Sequence, residues 1–339
     1  MGESKHMQSN RDGLVPIGEA IADLDGPVKS IRDATPQARH HFTRFDQVNQ
    51  LATAREADPD LGFQARMMAL CSLPRTNPGN RKEYVRRNGP YTLGMSAGIG
   101  NKLPFGSLPR LLMAWISTEA VKTQSPVLVL GHSLTEFMKK LDINSESAGR
   151  SGERTRLRNQ MDRLFNSTVQ FIYEPKAPDG ASLGVKDTFG STVARKMHLV
   201  WNPKKPNEPV LWESTVELGH DFFHDILRHP FPLDMNTLKA LKRSALGLDL
   251  YQWAVYRTFS LDRPMRLSWR SLYRQFGVDP SRASDKRTVD AFRTDCLREF
   301  KKIKLAWPDL NYATAKGVLI LSPSKPAIAP TTGPQRLVE

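Results

Sequence analysis

One pattern limits what this chain can fold into more than any other, and it occurs twice. In each copy a serine opens a short helix with apolar residues at helical spacing, a polar turn follows, and a further helix begins with an arginine beside a threonine. Ser133 precedes Arg154-Thr155 by 21 positions, and Ser268 precedes Arg287-Thr288 by 19. Serine is a favoured N-cap because its hydroxyl accepts from the orphan N–H groups of the first turn. Each copy is led by another apolar-faced helix and followed by short strands. Three helices followed by strands joined by a turn is the winged-helix order. The expected fold class is therefore α+β, with tandem winged-helix domains and a flexible N-terminal arm. The boundaries implied are 1–60 for the arm, 61–218 for the first domain, 219–322 for the second, and 323–339 for a disordered tail rich in Pro and Thr.

Periodicity fills in the elements. A short helix is expected from Phe45 to Ala57, a helix-compatible run from Leu61 to Leu73, and a strand from Tyr91 to Ile99. In the first copy the helices are Leu108 to Lys122, Leu134 to Leu141 and Glu153 to Phe165. Their strands are Val127 to Leu130, Thr168 to Glu174, Val193 to Trp201 and Val210 to Leu218. A helix from Gly219 to His229 ends at Pro230-Phe231-Pro232, which restricts the backbone and reads as a hinge. Asn236 to Phe259 supplies one or two helices, Ser268 caps Trp269 to Phe276, and Leu310–Ala313 with Val318–Leu321 flank a turn at Ala315-Lys316-Gly317. Polar, glycine-bearing turns are expected over Asn144 to Gly152 and at Pro178-Asp179-Gly180.

The stretch Ser284 to Leu305 is two-sided. Val289, Phe292, Cys296, Phe300 and Ile303 gather on one side of a 3.6-residue helix, and basic residues gather opposite. Ser284 is the expected N-cap. One face needs a core and the other an anion. The whole chain has the same bias, with 49 Lys and Arg against 35 Asp and Glu and a formal charge of +14 in 339 residues. That balance favours a polyanionic partner, nucleic acid first and a membrane surface second.

A helix of this kind enters the major groove, where every base pair shows its own donor and acceptor pattern. The expected DNA-contacting residues are Arg154, Thr155, Arg156, Asn159 and Arg163 in the first copy. In the second they are Arg287, Ala291, Thr294, Arg298, Lys301 and Lys302. Asn159 and Gln160 suit adenine, the arginines suit guanine, and Arg158, Lys301 and Lys302 suit phosphate. Lys176, Lys186 and Lys316 stand in the turns expected to be wings.

Enzyme chemistry is poorly served. The run Gly94 to Leu103 imitates a phosphate loop, but Asn101 separates Gly100 from Lys102, and Leu103 replaces the hydroxyl that magnesium needs. His220 and His224 share a helical face with no glutamate between them and no ligand cluster beside them. No acidic triplet suggests a nuclease, and no histidine pair with a nearby tyrosine suggests a nickase. Cys71 and Cys296 are too few for a metal framework, and Cys296 falls on the apolar stripe. The expectation is a protein that is not an enzyme and needs no cofactor or metal. No apolar run is long enough to span a bilayer and no cleavable leader opens the chain, so a cytoplasmic protein without a membrane partner is expected. A basic cluster at Arg81, Lys82, Arg86 and Arg87 has no assigned role.

Several runs carry a resemblance. Ser72-Leu73-Pro74-Arg75-Thr76-Asn77-Pro78, Tyr84-Val85-Arg86-Arg87-Asn88-Gly89 and Leu103-Pro104-Phe105-Gly106-Ser107-Leu108-Pro109-Arg110-Leu111-Leu112 resemble the RepA-type replication initiators of broad-host-range bacterial plasmids. The likeness continues through Trp115, Gly131-His132-Ser133-Leu134 and Leu248-Asp249-Leu250-Tyr251-Gln252-Trp253, and spans about Leu70 to Ser322. It implies a tandem winged-helix initiator that binds direct repeats, called iterons, at a plasmid origin. It also implies help in opening an adjacent AT-rich segment and recruitment of the host replicative helicase and host initiator. A homodimer that represses its own promoter is a further implication. A winged-helix transcriptional repressor without an initiation role is the alternative.

Overall fold

The computed structural model describes residues 36–144, 152–177, 181, 183–201 and 207–328. Most of the expected arm, the turn at 145–151, Pro178-Asp179-Gly180 and the end of the tail lie outside the described residues. The chain divides into two units, residues 1–50 and residues 51–339. In the first, residues 36–50 belong to helix α1 (Pro36–Glu56), which starts earlier than the expected Phe45. Proline suits the first turn of a helix, where its missing N–H would have no partner anyway.

The larger unit begins with a strand where periodicity predicts helix. Leu61–Ala65 is not helical but a strand, β1, and only Arg66–Leu70 forms a helix, α2. The partner of β1 is β9 (Pro230–Asp234), antiparallel from Leu61↔Asp234 to Ala65↔Pro230. The expected hinge at Pro230-Phe231-Pro232 is therefore a paired strand. Proline gives no ladder donor; the N–H of Phe63, opposite Pro232, points away from the ladder and donates to Thr118 Oγ1 at 2.9 Å.

The two copies follow. The first is α3 (Ser107–Thr123), β4 (Val127–Gly131), α4 (Leu134–Lys140) and α5 (Glu153–Phe165), closed by β7 (Ala194–His198) and β8 (Ser214–Leu218). The second is α8 (Ala245–Phe259), β10 (Met265–Ser268), α9 (Trp269–Phe276) and α10 (Lys286–Ala306), closed by β11 (Tyr312–Ala315) and β12 (Val318–Leu321). Their sheets run β4-β8-β7 and β10-β12-β11, so in both the last strand lies between the first and the second. Ser133 and Ser268 cap as the sequence predicts, accepting from Glu136 N and Ser271 N at 3.1 Å each. The cap of α10 differs. Asp285 accepts from Arg287 N at 3.1 Å, while Ser284 ends a 3-10 turn, Pro280–Ser284. Aspartate supplies a full negative charge to the positive end of the helix dipole, which serine lacks.

Between α5 and β7 the first copy carries an addition. Strands β5 (Thr168–Tyr173) and β6 (Asp187–Thr192) extend the hairpin β2 (Glu83–Asn88) and β3 (Tyr91–Ser96) into a four-stranded sheet, β2-β3-β5-β6. The expected strand Val193–Trp201 is present but shorter, as β7, and β6 before it is a strand the periodicity does not predict. β6 serves one sheet and β7 another, and the fully buried Val193 between them donates its N–H to Ser167 O at 2.9 Å. Helices α6 (His220–Arg228) and α7 (Met235–Ala240) lead into the second copy.

Buried polar groups bind the copies into one core. Arg110 of α3 is fully buried and places five donors on five acceptors. Nε and Nη2 meet the carboxylate of Asp249 in α8 at 2.7 and 2.8 Å. Nη2 also reaches Leu73 O at 2.7 Å, and Nη1 reaches Pro74 O at 3.1 Å and Gly106 O at 2.6 Å. The C-terminal end of α9 is held similarly, by groups from residues 72 to 86. Ser72 Oγ donates to Gln275 O (3.0 Å), Arg75 to Phe276 O (3.1 Å), and Arg86 to Arg274 O (3.0 Å) and Gly277 O (2.8 Å). Cationic donors belong at that negative end of a helix.

Candidate nucleic-acid interface

Helix α10 presents the two faces its sequence predicts. Phe292, Cys296, Phe300 and Ile303 are buried and Val289 half-buried, while Arg287, Ala291, Thr294, Arg298 and Lys301 are exposed along the opposite side. Two of the basic residues differ in their ties. Arg298, 60% exposed, pairs with Asp295 at 2.7 Å, one turn back on the same helix. That pairing is local and solvated, so it costs little to exchange for another anion, while Arg298 Nε also lies 3.8 Å from the buried carboxylate of Glu299. Lys302 is less free. Its ammonium lies 3.1 Å from Glu299, whose carboxylate is buried, and 24% of its side chain is exposed. Burial pushes the Cys296 thiol above its ordinary value, so it packs as a neutral group.

Helix α5 is arranged differently. Arg154, Thr155, Arg158 and Asn159 line an open groove of about 300 Å³ with Leu134, Asp162 and Leu199. Arg156 lies exposed and pairs with Glu153. Two residues of the expected reading set turn inward. Gln160 is buried and accepts the N–H of Phe105 through Oε1 at 2.9 Å, so its amide holds a loop and is removed from the adenine readers. Arg163 is half-buried, donates to Leu103 O at 3.2 Å and lies 5.2 Å over the Phe105 ring. Both staple the Leu103-Pro104-Phe105-Gly106 segment to α5. Periodicity alone does not separate this side of the helix from the open one.

The turns are exposed at all three lysines. Lys316 lies in the β11–β12 turn beside Gly317, whose φ of 76° is in the left-handed region. The carbonyl of Gly317 accepts from Trp269 N at 3.2 Å, tying that turn to the start of α9. Lys176 and Lys186 sit in the β5–β6 connection, on the added sheet. In the β4-β8-β7 sheet the turn that corresponds to Lys316 is the β7–β8 connection. Its residue Asn207 accepts from Thr135 Oγ1 at 2.6 Å and from Arg154 at 3.4 Å, at the N-terminal ends of α4 and α5.

The remaining chemical motifs are tied into the fold. Asn101 of the glycine-rich run donates to Asp162 of α5 and accepts from Lys82 through its carbonyl at 2.5 Å. His220 and His224 face one another with Nε2 atoms 3.1 Å apart, and His220 Nδ1 meets Asp221. Among the described residues no three His, Cys, Asp or Glu side chains converge as metal ligands. Cys71 and Cys296 are free and buried, with the Cys71 thiol pushed up to about 12 by burial. No helix among the described residues is long and apolar enough to cross a membrane.

Residues 103–270 match the sequence model of a family described as "Plasmid encoded RepA protein". No curated protein matches the chain. Among solved structures, the chain resembles the crystal structure of domains 2 and 3 of RctB at 12% identity and a TM-score of 0.45, covering 82% of this chain and 100% of that one. A second structure of RctB domains 2–3 gives 12% identity and a TM-score of 0.43, covering 75% and 94%.

Proposed function

The chain belongs, through residues 103–270, to the family of plasmid-encoded RepA proteins, and from that premise we propose that it is a plasmid replication initiator that reads duplex DNA with two winged helices. One observation carries the reading: two copies of the same helix order close on sheets of the same strand order, and each offers an exposed basic face on its third helix. Each third helix occupies one major groove, so a single chain reads one direct repeat. A two-fold dimer asks for an inverted repeat instead.

In the second copy Arg287, Ala291, Thr294 and Arg298 face bases and Lys301 reaches phosphate, with Lys316 on the wing. In the first copy Arg154, Thr155, Arg158 and Asn159 face the groove. By strand order the first wing is the β7–β8 connection rather than the β5–β6 turn of Lys176 and Lys186. The protein acts by binding rather than as an enzyme. Opening of an AT-rich segment draws on binding and bending at adjacent repeats, and the host helicase and host initiator are recruited to the opened site. This places it in the bacterial cytoplasm on plasmid DNA.

Footprinting on the cognate origin tests the reading, with protection of direct repeats expected. Uniform coating without protected repeats would overturn it. A plasmid whose copy number is unchanged when the gene is removed points to the repressor instead.

A further inference from the structure

The basic cluster at residues 81–87 has no part in the reading helices, yet its strand alternation gives it two separate jobs. Successive side chains of a strand point to opposite faces. In β2, Arg86 points inward and is 1% exposed, with its guanidinium on the carbonyls of Arg274 and Gly277 and on the Tyr84 hydroxyl at 2.7 Å. Arg87 therefore points out. It lines an open cleft of about 420 Å³ with Val85, Arg274 of α9, Pro280 and Ser281. The cleft thus joins a strand N-terminal to the first copy with the turn that connects α9 to α10. The buried Arg86 fixes its two walls relative to each other.

The charges in this cleft are unbalanced. Neither guanidinium has a hydrogen bond or ion pair to another described residue. The neighbouring Asp279 is already committed, accepting from Ser281 N at 3.0 Å and Ser281 Oγ at 2.7 Å, and those bonds hold its carboxyl below the usual range. Two cations facing one cleft repel unless an anion lies between them. A phosphate diester suits both the charge and the fork of donors that arginine presents.

We propose that this cleft is a backbone-phosphate site, through which Arg87 and Arg274 grip the duplex beside the groove that α10 reads. The inference rests on the DNA-binding reading above and adds a phosphate grip outside both third helices. It gives register, not sequence, because phosphates look alike at every base pair.

The test uses the full-length chain on an origin duplex and on random duplex, for wild type, Arg87→Ala, Arg274→Ala and Arg87→Lys. Each alanine variant is expected to weaken both duplexes by the same factor and to reduce the salt slope by about 0.9 for every phosphate it no longer neutralises. Ethylation of one phosphate is expected to interfere with wild type and to stop interfering with Arg87→Ala, while Arg87→Lys regains most of the affinity. Equal melting temperatures across the set exclude misfolding, as the exposure of both side chains predicts. Wild type that binds while both alanine variants keep its affinity, salt slope and ethylation pattern overturns this inference alone. Wild type that binds neither duplex overturns the DNA-binding reading and this site with it.

Discussion

Arg110 and Asp249 show what the quoted motifs are for. Leu73 and Pro74, Gly106 and Arg110, and Asp249 come from three separate runs of the sequence and meet at one guanidinium. Removing one member of a buried pair leaves the other charged in the core, which costs about 3–5 kcal/mol. Asp249→Ala is expected to lower unfolding stability by that amount in denaturant titration. Arg110→Met with Asp249→Leu is expected to restore only part of it, since neither charge is then stranded but the carbonyls of Leu73, Pro74 and Gly106 lose their donor. The sequence makes the runs visible, but nothing in their spacing says that they converge inside a core rather than on a ligand. Asp285 supplies a second residue-scale expectation. Its bonds, to the Thr288 hydroxyl first, hold its carboxyl below the ordinary 3.8. A depressed acid contributes stability above its unfolded value and loses it as pH falls through the folded one. The melting temperature of wild type should therefore fall more steeply below about pH 4 than that of Asp285→Asn, which keeps a capping oxygen without the charge.

At the scale of the element, α10 was nearly fully legible and α5 only half. Both have a buried stripe at helical spacing, and both have basic residues off that stripe. What separates them is the packing of a distant segment: Phe105 brings its ring and N–H to Arg163 and Gln160, and one-dimensional periodicity cannot register such a meeting. Arg298→Ala is expected to cost about 1–3 kcal/mol in specific binding, with a smaller loss on random duplex. Equal losses on both would refute its place in the groove. Arg163→Ala is expected to lower thermal stability and leave the specificity ratio unchanged. The strands were the least legible elements. β1 and β9 contain glycine and prolines and show little alternation, and they are strands because each is the other's partner. Such pairing is a long-range fact that local propensity does not carry.

At the scale of the molecule, the two copies share more than a linker. β1 pairs with β9, α3 is ion-paired to α8, and residues 72–86 cap the end of α9. A fragment of residues 219–339 loses all three. It is expected to melt at lower temperature than the full chain and to exchange the amides of α9 much faster in hydrogen-exchange measurements. A fragment that matches the full chain in both would show that the second copy stands alone.

The β1–β9 ladder has a further consequence in time rather than space. A chain is made from its N-terminus, so Leu61–Ala65 leaves the ribosome long before Pro230–Asp234 exists. During that interval the nascent first copy carries an unpaired strand edge and an Arg110 without its carboxylate, and both raise the exposure to wrong partners. The N-terminal half must wait, half-assembled, until Asp249 has been made and has emerged from the ribosome. A pause in translation before that point lengthens the wait, and one after it does not.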